Sequence, residues 1–203
     1  MRLFYSPTSP YVRKVMVLLH ETGLLDQVER VAGSGSPLDP GTAPLDANPL
    51  GKVPALERDD GPALYDSRVI CRYLDDRAKA GLYPSGPALW ETMVLEATAD
   101  GILDAALLMV YEWRLRPEEL RFAPWVEGQW SKIDRALSMI ESRGMPQLQG
   151  PLDMGQIALA CALGYLDFRH GARGWRTDRP HLAAWEAAFA LRPSMQATRP
   201  PEG

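Results

Sequence analysis

The sequence predicts two regions of different class: an α/β region of order βαβ then ββα over residues 1–81, and an all-helical region over residues 88–203. Three observations carry this reading. Short apolar runs broken by Gly, Pro and Ser fill the first region. A Pro/Gly-rich linker, residues 82–87 (Leu82-Tyr83-Pro84-Ser85-Gly86-Pro87), follows. Beyond it strand signals disappear, and long 3.6-residue periodicity takes over.

Arg2 to Tyr5 reads as a strand, and Ser6-Pro7-Thr8-Ser9-Pro10 as the loop that ends it. A helix starts there, because Ser9 suits an N-cap and Pro10 the first helical position. Val12, Val15, Met16 and Leu19 then share one face until Gly23. Gln27 to Ala32 reads as a second strand. The Gly, Ser, Pro, Asp and Asn of residues 33–49 make a loop. Two strands, Val53 to Glu57 and Ala63 to Tyr65, flank Arg58-Asp59-Asp60-Gly61, whose Asp-Gly step signals a hairpin. Asp66 and Ser67 introduce a helix carrying Val69, Ile70, Tyr73 and Leu74, ending near Gly81.

In the second region, helices are expected from about Ala88 to Arg114, Phe122 to Arg143, Asp153 to Phe168 and Pro180 to Leu191. The third is apolar on nearly every face from Ile157 to Leu166, as a helix buried in the middle of a domain is. Asp153 with Gln156 three residues on is a variant capping box. The Pro-rich last dozen residues are expected to fray.

Composition narrows the function classes. At 46% hydrophobic and 24% charged, the 203-residue chain has the makings of a packed interior. A net charge of -4 is opposed to nucleic-acid binding, which needs concentrated Lys and Arg. No apolar run is long enough for a membrane span and no signal-peptide core follows Met1, so the expected location is the cytoplasm. Cys71 and Cys161 lie within helical apolar patterns and read as reduced core residues. His20, His170 and His181 fall near helix ends without ligand spacing, so no metal is expected.

Three features bear on chemistry. At a helix N-terminus, the Ser9 hydroxyl, unpaired N–H groups and the positive end of the dipole converge where an anion such as a thiolate is favoured; Ser9 also suits a plain cap. In Asn48-Pro49-Leu50-Gly51-Lys52-Val53-Pro54-Ala55-Leu56, Pro54 at a strand start is a candidate cis proline. A cis bond there turns the Val53 N–H and C=O outward to pair with an extended peptide, and a tight structural turn explains it equally. Asp66-Ser67 reads as a turn and cap, or as a carboxylate for an ammonium group beside donors for a carboxylate.

In this order, Ser6-Pro7-Thr8-Ser9-Pro10-Tyr11-Val12-Arg13-Lys14-Val15, Asn48 to Leu56, and Tyr65-Asp66-Ser67 with Ile70 and Tyr73-Leu74 resemble the glutathione S-transferase superfamily. The closest likeness is to its bacterial group with Thr-Ser-Pro at the first helix. The resemblance continues through Gly150-Pro151-Leu152-Asp153, Ile157-Ala158-Leu159-Ala160 and Gly164-Tyr165-Leu166, and so spans nearly the whole chain. It implies a thioredoxin-like, glutathione-binding N-terminal domain and an all-α C-terminal domain. By it, Ser9 matches the serine that donates to the glutathione sulfur, Val53 the residue whose backbone pairs with the cysteinyl unit, and Pro54 the cis proline. Asp66 and Ser67 match the pair that holds the γ-glutamyl end, and Lys52 is a candidate for the glycyl carboxylate. Tyr11, Asp104, Met109 and Tyr111 match the surroundings of the electrophile, although helical spacing also suits them to the core. The chain departs from the family in having Asp153 and Gln156 where Ser or Thr and Asp are usual, and Asp66 where Glu is common.

The implied reaction is attack of the glutathione thiolate on a small apolar electrophile in detoxification, with glutathione as co-substrate and a homodimer as the working form. A thiol's ordinary pKa of about 8.5 must fall, and a hydroxyl donor with a helix N-terminus supplies on the order of one to two units. Thiol transfer is disfavoured because Ser9 stands where that chemistry uses cysteine. Glutathione-dependent peroxidase activity and a non-catalytic glutathione-binding or regulatory role are the rival readings.

Overall fold

A computed structural model describes residues 1–201 and divides the chain into two compact units, Met1–Ser85 with the chain from Pro193, and Gly86–Arg192. The first unit holds β1 (Arg2–Tyr5), α1 (Pro10–Thr22), β2 (Glu29–Ala32), β3 (Ala55–Arg58), β4 (Gly61–Leu64) and α2 (Ser67–Ala78). The second holds α3 (Pro87–Leu115), α4 (Ala123–Met139), α5 (Met145–Leu148), α6 (Met154–His170) and α7 (Pro180–Phe189). The last helix, α8 (Pro193–Ala197), returns to the first unit.

The strands form one mixed sheet of order β2-β1-β3-β4. β1 runs parallel to β2 and antiparallel to β3, and β3 is antiparallel to β4, with Arg58 opposite Gly61 across a turn at Asp59-Asp60. Leu3, Val15, Leu18, Leu19, Leu56, Ile70 and Leu74 are completely buried and form this unit's core, each contributing about 1.5–3 kcal/mol of hydrophobic stabilisation. Three strand starts differ from the sequence reading. β2 starts at Glu29 because Leu25–Gln27 form a 3-10 turn. β3 starts at Ala55, since Pro54 has no N–H to give a ladder. β4 is Gly61–Leu64, two residues earlier at its start than expected. The segment after α2 is held down by the buried Asp75 carboxylate, which accepts the Leu82 and Tyr83 N–H groups at 2.8 and 3.0 Å.

In the helical unit, α6 has every residue from Met154 to Leu163 buried, as its apolar circumference predicts. Gly155 permits the close packing of α6 on α3, because a Cβ there would lie 2.9 Å from the Thr92 carbonyl oxygen. The helix expected to run to Arg143 instead leaves α geometry at Met139, widens into a π turn at Ile140–Gly144 and resumes as α5. Pro146 accounts for this: it cannot donate to a preceding carbonyl, and its ring crowds that turn.

Over its described residues, the Pro-rich end is packed rather than frayed as expected. Ser194 and Met195 are buried, and Arg13 of α1 donates to the Met195 carbonyl at 3.2 Å. Both cysteines are buried and neither is in a disulfide. No helix among the described residues is long and apolar enough to cross a membrane, and no group of three His, Cys, Asp or Glu among them is placed to hold a metal ion.

Candidate functional site

The sheet topology decides which of the singled-out residues meet. Chain direction takes β1 out of the sheet at Tyr5, just before Ser9. Because β3 is antiparallel to β1, with Phe4 opposite Ala55, its start at Pro54 lies at that same end. β4 is antiparallel to β3, so it too exits there, just before Asp66 and Ser67. Three segments distant in sequence therefore share one end of a four-stranded sheet, each presenting irregular backbone or a helix start.

Ser9 caps α1 with extended backbone (φ -81°, ψ 120°), and its Oγ accepts the Val12 N–H at 3.3 Å. That bond is long and uses only a lone pair. The hydroxyl proton stays available, because no other bond of this side chain occurs among the described residues. No acidic residue stands in the first turn, so the positive end of the helix is not neutralised locally.

The Val53-Pro54 bond is cis. Val53 is half-buried, and its N–H and C=O make no hydrogen bond among the described residues. The loop before it is fixed by Asn48, a buried side chain that sequence reasoning gave no role. Its amide donates to the Lys52 carbonyl at 2.9 Å, and its oxygen accepts the Leu50 N–H at 3.0 Å. The Asn-Pro dipeptide was the available signal, since Asn side chains fold back on turns. Lys52 itself is exposed.

Asp66, reached through a cis Tyr65-Asp66 bond, caps α2 by accepting the Arg68 N–H at 2.9 Å, and its other oxygen pairs with the Arg68 guanidinium at 2.9 Å. Burial opposes its ionisation. The Arg68 side chain and amide, helped by Lys14, outweigh that and hold the carboxyl below its ordinary value. Arg68 therefore already occupies part of the carboxylate expected to meet an ammonium group, although each oxygen keeps a further lone pair. Ser67 is 2% exposed, and its hydroxyl makes no hydrogen bond among the described residues. Lys14, fully buried on α1 and acting on Asp66, was also missed; its signal was the Arg13-Lys14 pair of cations inside the apolar run from Val12 to Leu19.

The four residues matched to the electrophile separate. Tyr11 is half-buried at the start of α1. On α3, Asp104 is exposed and Tyr111 half-buried, whereas Met109, at 2% exposed, is packed in the interior of the helical unit.

Comparison with known proteins agrees along the whole chain. Residues 8–77 match the glutathione S-transferase N-terminal domain, and residues 123–188 the C-terminal domain. The uncharacterized GST-like protein YibF of Escherichia coli (strain K12) is 37% identical over 100% of both chains. A glutathione transferase family member from Pseudomonas fluorescens Pf-5, solved with bound glutathione, is 51% identical with a TM-score of 0.96, covering 98% of each chain. A structure from the same organism with bound S-(propanoic acid)-glutathione is 50% identical with a TM-score of 0.92, covering 99% of this chain and 100% of the other.

Proposed function

Because the chain belongs to the glutathione S-transferase family, we propose that it is a glutathione transferase in which Ser9 activates the thiol for attack on a small electrophile. The observation that carries this is the Ser9 hydroxyl: it accepts one weak backbone bond, keeps its proton, and stands at an unneutralised helix start. A thiolate placed there accepts the hydroxyl proton and is favoured by the dipole. The two effects lower a thiol pKa from about 8.5 by on the order of one to two units, enough to ionise much of it at neutral pH. Ser9 donates and does not itself ionise.

Glutathione enters as an extended peptide. The free Val53 N–H and C=O pair with its cysteinyl unit in the manner of an added strand. Asp66 accepts the γ-glutamyl ammonium, the Ser67 hydroxyl and the first N–H groups of α2 hold the adjoining carboxylate, and Lys52 meets the glycyl carboxylate. The glutathione in the Pseudomonas neighbour supports this ligand. S-(propanoic acid)-glutathione in the second is a thioether, the kind of product that thiolate addition to an electrophile leaves. Tyr11, Asp104 and Tyr111 are the side chains we assign to the second substrate, whereas Met109 belongs to the core of the helical unit. The buried cysteines, in no disulfide, suit a reducing cytoplasm, and the working form we propose is a homodimer.

The deciding experiment is a glutathione titration followed by thiolate absorbance in the ultraviolet near neutral pH, for wild type and Ser9→Ala. A bound-thiolate signal that falls in the variant supports the transferase. Binding without ionisation points to a non-catalytic glutathione-binding protein, and no binding overturns both.

A further inference from the structure

The helical unit contains a cationic cluster with no anion of its own. Tyr111 and Arg114 stand three residues apart on α3, and Tyr165 and Arg169 four apart on α6, so each pair shares a helix face. The four act on one another: the Tyr165 hydroxyl lies against the Arg169 guanidinium, and Arg114 acts on Tyr111, Tyr165 and Arg169 alike. Three other arginines of this unit are matched to carboxylates, Arg173 to Glu127, Arg176 to Asp167 and Glu186, and Arg179 to Asp134. Arg114 and Arg169 are not. Neither makes an ion pair among the described residues, no carboxylate acts on Arg169, Tyr111 or Tyr165, and the Arg169 Nε is buried without a hydrogen-bond partner.

Two guanidinium groups held together without a counter-charge repel each other, and a buried donor left unmade is costly. Both conditions are relieved by one bound anion. Two guanidiniums and two phenols supply more donors than the two oxygens of a carboxylate need, and a guanidinium's planar fork matches a carboxylate. Burial pushes both phenols up, so they remain protonated donors. The Phe168 ring lies 3.8 Å from the Arg169 guanidinium, and Tyr165 is 3% exposed, so the flanks are apolar and suit an organic anion better than a strongly hydrated inorganic one.

We infer that Tyr111, Arg114, Tyr165 and Arg169 form a binding site for the carboxylate of a small organic acid. On the function proposed above, that acid is the second substrate; the site is testable without glutathione.

The test is calorimetric titration of the full chain, in phosphate-free buffer of low ionic strength, with cinnamate, with cinnamamide of the same shape, and with inorganic phosphate. Cinnamate is expected to bind at least about tenfold more tightly than cinnamamide, as charge-assisted hydrogen bonds require, and more tightly than phosphate. Arg169→Gln and Arg114→Gln should each reduce the preference to about threefold or less, and Tyr165→Phe should weaken it by a smaller factor. Arg114 is exposed, so its variant is read on an intact fold. Equal affinity for acid and amide, a preference that survives both arginine substitutions, or tighter binding of phosphate would overturn the inference. None of these outcomes bears on Ser9.

Discussion

Ser9 and Asp153 occupy the same position in two different units, the N-cap of a helix that its unit is built around, and they are used in opposite ways. Asp153 is spent inside the fold. One carboxylate oxygen accepts the Gln156 N–H at 2.8 Å, and the other accepts the buried Thr92 hydroxyl of α3 at 2.7 Å. The Gln156 amide then donates to the Gln147, Gly150 and Pro151 carbonyls, closing the turn ahead of α6. Ser9 accepts a single bond at 3.3 Å and keeps its proton. A cap with both oxygens engaged by its own fold holds structure; a cap with a donor left over is available to a ligand.

Asp153→Ala should show the largest effect. It removes a cap worth about 1–2 kcal/mol and strands the hydroxyl of Thr92, a residue only 1% exposed, so the combined loss is expected at about 2–4 kcal/mol in denaturant unfolding. Thr92→Val in the same background should recover part of it, because the stranded hydroxyl is then gone. A loss under about 1 kcal/mol would break the comparison at its structural end. Ser9→Ala should do the reverse. Its weak cap costs about 0.5 kcal/mol of stability, while the rate with glutathione and an electrophile falls by about 10–100-fold. Equal losses in stability and rate would make Ser9 a second structural cap.

The same contrast explains how much was legible beforehand. Element order and the apolar circumference of α6 could be read from the sequence because periodicity is a local property. The three site segments could be singled out because Ser-Pro, Val-Pro and Asp-Ser each carry a backbone signature. Their convergence was not local: it follows from antiparallel pairing of β3 with both β1 and β4. The return of α8 to α1 rests on a buried Arg13 bonded to a carbonyl 182 residues away, and no window of sequence contains both. Arg68 taking part of the Asp66 carboxylate was also hidden, because an exposed arginine two residues on is commonplace until its rotamer is seen.

Ser67 sharpens the ligand end. Ser67 is 2% exposed and its hydroxyl makes no internal bond, so Ser67→Ala should leave unfolding stability within about 0.5 kcal/mol while weakening glutathione binding by about tenfold in calorimetry. A stability loss without a change in affinity would move Ser67 into the class of Asp153.

The smallest effect belongs to a third kind of cap, borrowed from another element. Glu141 lies in the π turn, yet its carboxylate accepts the His181 and Leu182 N–H groups at 3.1 and 2.8 Å and contacts the His181 Nδ1 at 2.7 Å, capping α7. Burial raises its pKa, but the Leu182 and His181 bonds outweigh burial and leave the carboxyl below its ordinary value of 4.5. A depressed folded value stabilises the protein above the unfolded pKa, and that stabilisation is lost as pH falls through the folded one. Glu141→Gln should therefore be less stable than wild type at neutral pH, with the gap in urea midpoint closing on acidification below about pH 4.5. A gap that stays constant with pH would mean the amide caps α7 as well as the carboxylate does, leaving shape rather than charge as what Glu141 supplies.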